Sequence, residues 1–299
     1  MTFRSIREVV APASNDLLKY VEDVAARAKA RPRQAELPSP MMARQLPLWA
    51  DEIRCMPNEI LRSALFNARN RNQPRRYFKN ESIAIIDQFA RITFTGEELR
   101  QNDELVWLQL IHLAKGVPAG APIEFTGYSM IKALRLTKGK PNAGHTERLL
   151  ESLQRMQATA LSIYSKRLAH GVSLSMIPRF EWQDESTGKR LPKWRVHIAP
   201  ELVDLFGSVH FTCLLWEQRL ALPSGLATWL HGYYASHRKP YAVNLSTLQE
   251  GCGCSTKSPR KFKQLTAAAL LELERVGFLK KGSEIRGELV YVARTRQTI

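Results

Sequence analysis

Ser246-Thr-Leu-Gln-Glu-Gly-Cys-Gly-Cys-Ser-Thr-Lys-Ser-Pro-Arg-Lys-Phe-Lys-Gln-Leu265, continuing to Val276, is the stretch on which the reading of this chain turns. A short run, Ser246–Gly251, is followed by a turn of small residues, Gly251–Lys257. Ser258 then precedes Pro259: a capping residue, then proline at the first helical position, is a start signal for a helix. At about 100° per residue, Phe262, Leu265, Ala269, Leu273 and Val276 fall on one face. Arg260, Lys263, Gln264 and Ala267 fall on the other. Leu271 lands among the polar residues and does not fit. Around the first two turns stand Lys257, Arg260, Lys261, Lys263 and Gln264 with no acid among them; Glu272 and Glu274 come later. Helix, tight turn and a second helix with a basic leading end is the layout that lays a recognition helix in a DNA major groove. Behind it, Phe278-Leu-Lys-Lys-Gly-Ser-Glu-Ile-Arg-Gly-Glu-Leu-Val-Tyr-Val-Ala-Arg294 reads as two strands around a Gly/Ser turn, the wing of a winged helix. A surface helix with a solvated basic face is the plainer alternative. The order of turn, helix and hairpin favours DNA.

The bulk numbers agree. The 299 residues suggest about two domains. A net charge of +16 and a pI near 9.9 point to a polyanionic partner, most commonly nucleic acid. A membrane surface is the competing polyanion. No apolar run approaches the roughly 18 residues of a spanning helix, and the N-terminus lacks the apolar segment of a signal peptide. The chain is therefore expected to be cytoplasmic. Its four cysteines, Cys55, Cys213, Cys252 and Cys254, are scattered, so reduced thiols are expected.

Residues 1–50 differ in character from the rest. Leu17–Ala30 has the pattern of a short amphipathic helix, and Arg31–Pro40 reads as a proline-rich linker. Arg44-Gln-Leu-Pro-Leu-Trp49 comes next. Its apolar side chains sit in a polar, Pro-flanked setting that is not expected to bury itself. Gln45, Leu46, Leu48 and Trp49 therefore read as a docking peptide for a hydrophobic pocket on a partner.

Globular sequence begins near Pro57. Asn58–Asn67 reads as a helix, Ala90–Thr95 and Glu124–Thr126 as strands, and Glu104–Ala114 as a strong helix between them. The basic run Arg69–Lys79 is either a set of phosphate contacts or a solvated loop. A second helix-turn-helix is then met, with Tyr128–Leu136, a turn over Thr137–Gly144, and His145–Ala160. Leu149, Leu150, Leu153 and Met156 share a core face; Arg148, Glu151 and Arg155 are expected to face away. Lys138, Lys140, His145 and Arg148 gather at its turn and helix start. Ser162–Arg167, Ser173–Phe180 and Trp194–Ile198 read as strands, with Asp184–Lys189 as a turn, forming a longer wing. Pro200–Phe206 is a short closing helix. Phe211–Trp216, a helix over Ser224–His237 and a strand over Tyr241–Leu245 then lead back to the opening stretch. The same layout thus occurs twice, which suggests two modules on successive groove segments.

No catalytic constellation emerges. Gly139 and Gly144 have phosphate-loop spacing, but His145 stands where lysine would reach the phosphates. Cys252 and Cys254 have no second ligand pair at zinc spacing. Tyr233-Tyr234 lacks the metal-binding histidine pair a DNA-nicking tyrosine requires. Asp184-Glu185 sits in a turn. No enzyme activity, metal or cofactor is expected.

Four longer strings carry a resemblance: Arg62-Ser-Ala-Leu-Phe-Asn-Ala-Arg69, Arg91-Ile-Thr-Phe-Thr-Gly-Glu-Glu-Leu99, Trp194-Arg-Val-His-Ile-Ala-Pro-Glu-Leu-Val-Asp-Leu-Phe206 and Leu230-His-Gly-Tyr-Tyr-Ala-Ser-His237. Over about Cys55 to the end, the chain resembles the TrfA-type replication initiators of broad-host-range plasmids. The resemblance implies two winged-helix domains on directly repeated origin sites, called iterons. It implies opening of an adjacent AT-rich region with contact to its single strands, and recruitment of the host replicative helicase with its own initiator. It implies a monomer–dimer balance in which dimers restrain replication, and no nucleotide. The family's sliding-clamp motif is matched by Gln45, Leu46 and Leu48, with Trp49 where phenylalanine is usual and Pro47 at the variable position.

The expected fold class is α+β: two tandem winged-helix domains, mainly helical with β-hairpin wings, after a flexible N-terminal segment. Residues 1–56 would be that segment, 57–210 the first domain and 211–299 the second and main DNA reader. The expected DNA contacts are Lys257, Ser258, Arg260, Lys261, Lys263 and Gln264, with weaker ones from Lys138, Lys140, His145 and Arg148. A winged-helix transcription regulator is the alternative; it usually carries one such module and a sensor or dimer domain. A nicking enzyme is the more remote one.

Overall fold

The computed structural model describes residues 45–83, 85, 90–165, 171–184, 186–206 and 210–295. All of its elements belong to the unit Ala43–Ile299. The helix and linker expected over Leu17–Pro40 lie outside the described residues.

The architecture is mixed helix and strand. It opens with β1 (Ile53–Pro57), every residue of which is buried. Helix α1 (Asn58–Leu61) is one turn, against the longer helix expected to Asn67. Ser63 ends it: its hydroxyl bonds to the Ile60 carbonyl, and its own carbonyl accepts the Trp229 indole N–H at 2.9 Å. Strand β2 (Phe66–Asn67) comes next and pairs in parallel with β5 (Leu99–Arg100). Between them, β3 (Tyr77–Ile83) and β4 (Ala90–Glu97) form an antiparallel pair. Helix α2 (Gln101–Ala114) is buried on nearly all sides, including Trp107, Leu108, Leu110 and Ile111.

The first repeated layout begins at β6 (Ile123–Phe125). Thr126 caps α3 (Gly127–Ala133), and Asn142 caps α4 (Ala143–Gln157). Two strands then leave the layout: β7 (Ala160–Ser165) pairs with β4, and β8 (Gly171–Leu174) with β7, giving the sheet β3-β4-β7-β8. The sequence pattern assigns them to the wing. The physical reason for the difference is burial, since Ile92, Phe94, Leu161 and Ile163 share one packed face of that sheet. The hairpin itself is β9 (Arg179–Gln183) and β10 (Arg190–His197), with β6 completing the sheet β6-β10-β9. Helix α5 (Pro200–Asp204) closes it.

Strand β11 (Phe211–Leu215) returns to the start of the fold and pairs with β1 along its whole length. Helices α6 (Trp216–Ala221) and α7 (Leu226–Ala235) come after it. The second layout is β12 (Val243–Asn244), α8 (Leu245–Gly251), α9 (Pro259–Arg275), β13 (Glu284–Arg286) and β14 (Leu289–Tyr291), with sheet order β12-β14-β13. In both layouts the strand before the first helix pairs with the second strand of the hairpin.

Three further expectations from the sequence do not hold. Cys55 and Cys213 are direct cross-strand partners joined in a disulfide, so the reduced state does not apply to that pair. The β1–β11 register, invisible to local reading, brings them together across 158 positions. The segment ahead of Pro57 is also packed rather than loose from Gln45 onward. Leu46 is only 3% exposed, among Ala114, Val117, Ile123, Ile198 and Val203. The Trp49 indole donates to His112 Nδ1 at 3.2 Å and stacks at 6.2 Å on Phe206. Finally, the buried face of α9 is Phe262, Thr266, Ala269, Leu270 and Leu273; Leu265 is exposed and Leu271 is 66% exposed.

The elements that precede the two layouts share a seam. Arg219 on α6 is fully buried and pairs with Glu104 on α2 at 3.0 Å and with the Gln101 amide oxygen at 2.9 Å; it also donates to the Thr228 carbonyl. Burial pushes the Glu104 carboxyl up and the Arg219 guanidinium down, each opposed by the other's charge. Nearby, Gly232 on α7 is pressed against α1: a Cβ there would stand 2.8 Å from Leu61 Cδ2. The Ala68 N–H donates to the Cys252 carbonyl at 2.8 Å, which fastens the turn before α9 to the β2 segment.

Candidate nucleic-acid interface

The C-terminal layout presents a basic leading end. Ser258 accepts the Lys261 N–H at 3.3 Å, capping α9, and Pro259 occupies the first turn. The cap directs the first helical N–H groups and the positive end of the helix dipole outward. Lys257, Ser258, Arg260, Lys261 and Gln264 are exposed around this end. Lys263 is not free: its ammonium donates to the Gly287 carbonyl at 2.6 Å and lies 3.8 Å from Glu288, fastening the helix to its own hairpin. Ser258 likewise spends its hydroxyl on the cap. The side chains left for a partner are Lys257, Arg260, Lys261 and Gln264.

The N-terminal layout uses more of its polar side chains internally. The Asn142 side chain accepts the His145 N–H at 3.1 Å, and His145 Nδ1 accepts the Asn142 N–H at 3.3 Å, so His145 completes the cap of α4. Arg155, expected to face away, reaches the buried Asp103 at 3.0 Å, and Ser152 bonds to the same carboxylate at 2.7 Å. A partner on α2, far off in sequence, overrides the helical wheel. Lys138, Lys140 and Arg148 are exposed, with no ion-pair partner among the described residues. Glu147 pairs with Arg190 of the hairpin at 3.3 Å. The hairpin adds five exposed cations, Arg179, Lys189, Arg190, Lys193 and Arg195, of which Arg179 pairs with Glu181 at 2.7 Å, and Lys193 and Arg195 pair with Glu124 at 3.6 and 2.9 Å. Those positions were not among the expected contacts; the basic run Lys189–Arg195, running into the second hairpin strand, was the available signal.

The basic run Arg69–Lys79 is neither wholly solvated nor wholly free. Arg69 pairs with the buried Glu98 at 3.1 Å, Arg75 with the buried Asp103 at 2.8 Å, and Arg76 with Glu81 at 3.3 Å. Arg71 is exposed. The Cys254 thiol, in the turn before α9, is lowered to about 6, chiefly by its hydrogen bond from Cys252; burial and the same bond push Cys252 up. Among the described residues no cluster of three His, Cys, Asp or Glu side chains is arranged to hold a metal, and no helix is long and apolar enough to cross a membrane.

A family model described as "TrfA protein" matches residues 13–294. The chain belongs to the TrfA family. This is a family of plasmid replication initiators: the plasmid replication initiator protein TrfA of Escherichia coli is 34% identical over 284 residues, covering 94% of this chain and 72% of that protein. Among solved structures, domains 2 and 3 of RctB are similar at a TM-score of 0.51 with 13% identity, covering 79% of this chain and 96% of that one, a likeness of fold alone. The Pi initiator protein, solved in complex with iteron DNA, is more distant, at a TM-score of 0.42 and 12% identity over 66% of this chain and 95% of that one.

Proposed function

We propose that this TrfA-family chain initiates plasmid replication by binding directly repeated iterons with two winged-helix domains, over residues 57–210 and 211–299. The observation that carries the reading is the doubled layout. Each copy has a capped second helix, an exposed basic cluster at its leading end or on its hairpin, and a hairpin tied to that helix. α9 is the main reader, because Arg260 and Gln264 have the chemistry to pair with guanine and adenine edges in the major groove. Lys257, Lys261, Lys138, Lys140 and Arg148 hold the backbone. Footprinting on the plasmid's own origin tests this. Protection repeating at about two helical turns, roughly 20 bp at 10–10.5 bp per turn, is expected; irregular or absent protection overturns it.

The same reading includes opening of an AT-rich region, recruitment of the host helicase and its initiator, a monomer–dimer balance, and docking to the sliding clamp through Gln45, Leu46, Leu48 and Trp49. For the clamp, the self-packing of Leu46 and Trp49 adds a condition: both must leave their seats. Uncovering a buried apolar side chain costs about 1.5–3 kcal/mol, so the intact chain should bind the clamp weakly. Leu48, 77% exposed, is the clean probe. Leu48→Ala should lose clamp retention in surface resonance while iteron gel shifts and thermal stability stay unchanged. Unchanged clamp retention would remove the motif from the reading.

A further inference from the structure

A second basic surface lies beside the leading end of α9. It is a cleft of ≈ 730 Å³, lined from one side by residues 68–71, 73, 75 and 100–102 and from the other by residues 223–226, the turn before α9, and Lys261 and Leu265 on α9. Five cations line it: Arg69, Arg71, Arg75, Arg100 and Lys261. No acidic side chain does. Arg75 lies 3.8 Å from the partly exposed Glu97, which does not line the cleft; the carboxylates that pair at closer range with it and with Arg69 and Arg100, namely Glu98 and Asp103, are buried beneath them. They hold the guanidiniums in place without presenting negative charge to the cleft.

The wall that carries Arg71 is built. Arg100 donates to the Asn70 carbonyl at 2.9 Å and the Pro74 carbonyl at 3.1 Å, bracketing the loop. The Asn70 side chain accepts the Asn72 N–H at 3.0 Å. Across the cleft, Ser255 donates to the Gln73 side chain at 2.8 Å, linking this loop to the turn before α9. Arg71 and Lys261 are left as the exposed cations of the two walls, with no ion-pair partner among the described residues. Behind Arg75, Asp103 is bonded to Ser152 and Arg155 of α4. The cleft is thus attached to the second helix of both layouts.

We propose that this cleft is a phosphate seat for duplex DNA, where Arg71 and Lys261 grip the sugar–phosphate backbone between the two groove segments. The inference rests on the proposed DNA-binding function and goes beyond it by assigning Arg71 and the seam, which lie outside both helix-turn-helix layouts. The occupant is backbone and not unstacked single strand, because no aromatic side chain lines the cleft and single-stranded bases are held by aromatic stacking. Five cations in the lining also disfavour a small apolar ligand. Its consequence is register: one backbone contact fixed between two readers sets their spacing along the duplex.

The test uses the full chain and duplex from the plasmid's own origin. Each phosphate contact contributes about 0.9 to the slope of log affinity against log salt on duplex DNA. Arg71→Ala should lower that slope by about 0.9 and leave base preference unchanged; Arg71→Lys should restore it. A single methylphosphonate at the contacted phosphate should weaken the unmodified protein and have no further effect on Arg71→Ala. Arg260→Ala, run in parallel, reports the initiator reading itself. If Arg260→Ala shifts base preference while Arg71→Ala leaves the duplex slope intact, the phosphate seat is wrong and the initiator reading stands. If Arg71→Ala lowers the slope on single-stranded DNA only, the duplex assignment is wrong. If neither variant changes anything on the duplex, both fall. Arg71 is exposed and takes no part in the loop's hydrogen bonds, so unchanged thermal unfolding of Arg71→Ala is the folding control.

Discussion

The two repeated layouts place opposite charges on matching parts. In the N-terminal one the helix contributes the acid and the hairpin the base, Glu147 to Arg190 at 3.3 Å. In the C-terminal one the helix contributes the base and the hairpin the acid, Lys263 to Glu288 at 3.8 Å. Both ties do the same mechanical work, holding the hairpin beside its helix. What differs is which element is left positive toward a polyanion. In the C-terminal layout it is the leading end of α9, whose side chains have the length and chemistry for base edges. In the N-terminal layout positive charge is spread over the turn before α4 (Lys138, Lys140), Arg148 and the hairpin, most of whose cations are already paired with Glu181, Glu147 and Glu124, a distribution suited to a phosphate backbone rather than to base edges. The same architecture can therefore read sequence in one copy and hold phosphate in the other, with charge placement deciding between them.

The largest expected effect breaks the seam that makes the comparison possible. Arg219→Ala strands the buried Glu104 carboxylate, and removing one partner of a buried ion pair costs about 3–5 kcal/mol. Denaturant unfolding should show that loss in one transition, because the pair joins the element ahead of the first layout to the element ahead of the second. Two transitions, with only one shifted, would mean the layouts are independent and the contrast between them merely local. A residual-stability control, Glu104→Gln with Arg219→Met, should recover much of the loss by removing both charges.

The next effect sharpens the assignment of the C-terminal copy as reader. Arg260→Ala or Gln264→Ala should cost about 1–3 kcal/mol of binding and relax preference at one base position, whereas Lys257→Ala should weaken all sequences alike. Selection from a randomised duplex pool distinguishes the two outcomes. Unchanged preference in both Arg260→Ala and Gln264→Ala would move the reading role to α4.

Acid should loosen the seam under the C-terminal copy. His231 on α7 is fully buried, its ring edge-on to Phe278 at 4.5 Å, and neither ring nitrogen has a partner among the described residues. Burial, then the charges of Arg219 and Arg294, hold it well below its ordinary 6.5. The folded protein keeps the ring neutral while the unfolded chain takes up a proton. Stability is therefore full above about pH 6.5 and falls as pH drops below it, by up to about 1.4 kcal/mol per pH unit. His112, held down to about 4 chiefly by burial, adds a loss of the same sign. His231→Phe should flatten the pH dependence of the unfolding midpoint between pH 6.5 and 5; an unchanged profile would show that His231 is not the sensor.

The smallest effects test the charge reversal itself. Exposed ion pairs are worth about 0–1 kcal/mol in stability, so Glu147→Gln and Glu288→Gln should barely move unfolding. Their effects on DNA should be visible in the salt slope. Glu147→Gln frees Arg190 and should steepen it, and Arg190→Ala should lower it by about one phosphate contact without changing base preference. A shift in base preference from Arg190→Ala would mean that the N-terminal hairpin reads bases too.

Much of this was legible in the sequence where the deciding interactions are local. Ser258-Pro259 starts α9 through a cap made within three residues, and the C-terminal helix-turn-helix layout grows from it. The hairpin turn at Asp184–Lys189 is also local, closed by the Asp184 side chain on Thr187 at 2.8 Å. What escaped was set by distant partners. Arg155 belongs by spacing on the polar face of α4, but Asp103 draws it inward. Thr266 was not in the expected stripe of α9, yet its hydroxyl is buried and satisfied by the Phe262 carbonyl at 2.9 Å, so a polar residue serves as core. Leu46 and Trp49 sit in a proline-flanked segment whose pocket is built by residues of α2, α5 and β11. β7 and β8 alternate like hairpin strands, and only the prior existence of β4 claims them. Of the candidate contacts, Lys257, Arg260, Lys261 and Gln264 are exposed as expected. Ser258, Lys263 and His145 are taken up by caps and by the hairpin tie.

The pairing of β1 with β11 bears on how such a chain can change over time. The Asn58 N–H donates to the His210 carbonyl at 2.9 Å, so the backbone leaves the two-stranded ribbon and re-enters it at the same point. Everything between is, in architectural terms, an insertion into that ribbon, whose Cys55, Met56 and Leu214 pack in the same core as the inserted elements. Closing a longer loop costs only about 0.6 kcal/mol per doubling of its length. Residues can therefore be gained or lost in the surface loops of that insertion with little penalty at its entrance, and without shifting the register of the two strands that close it.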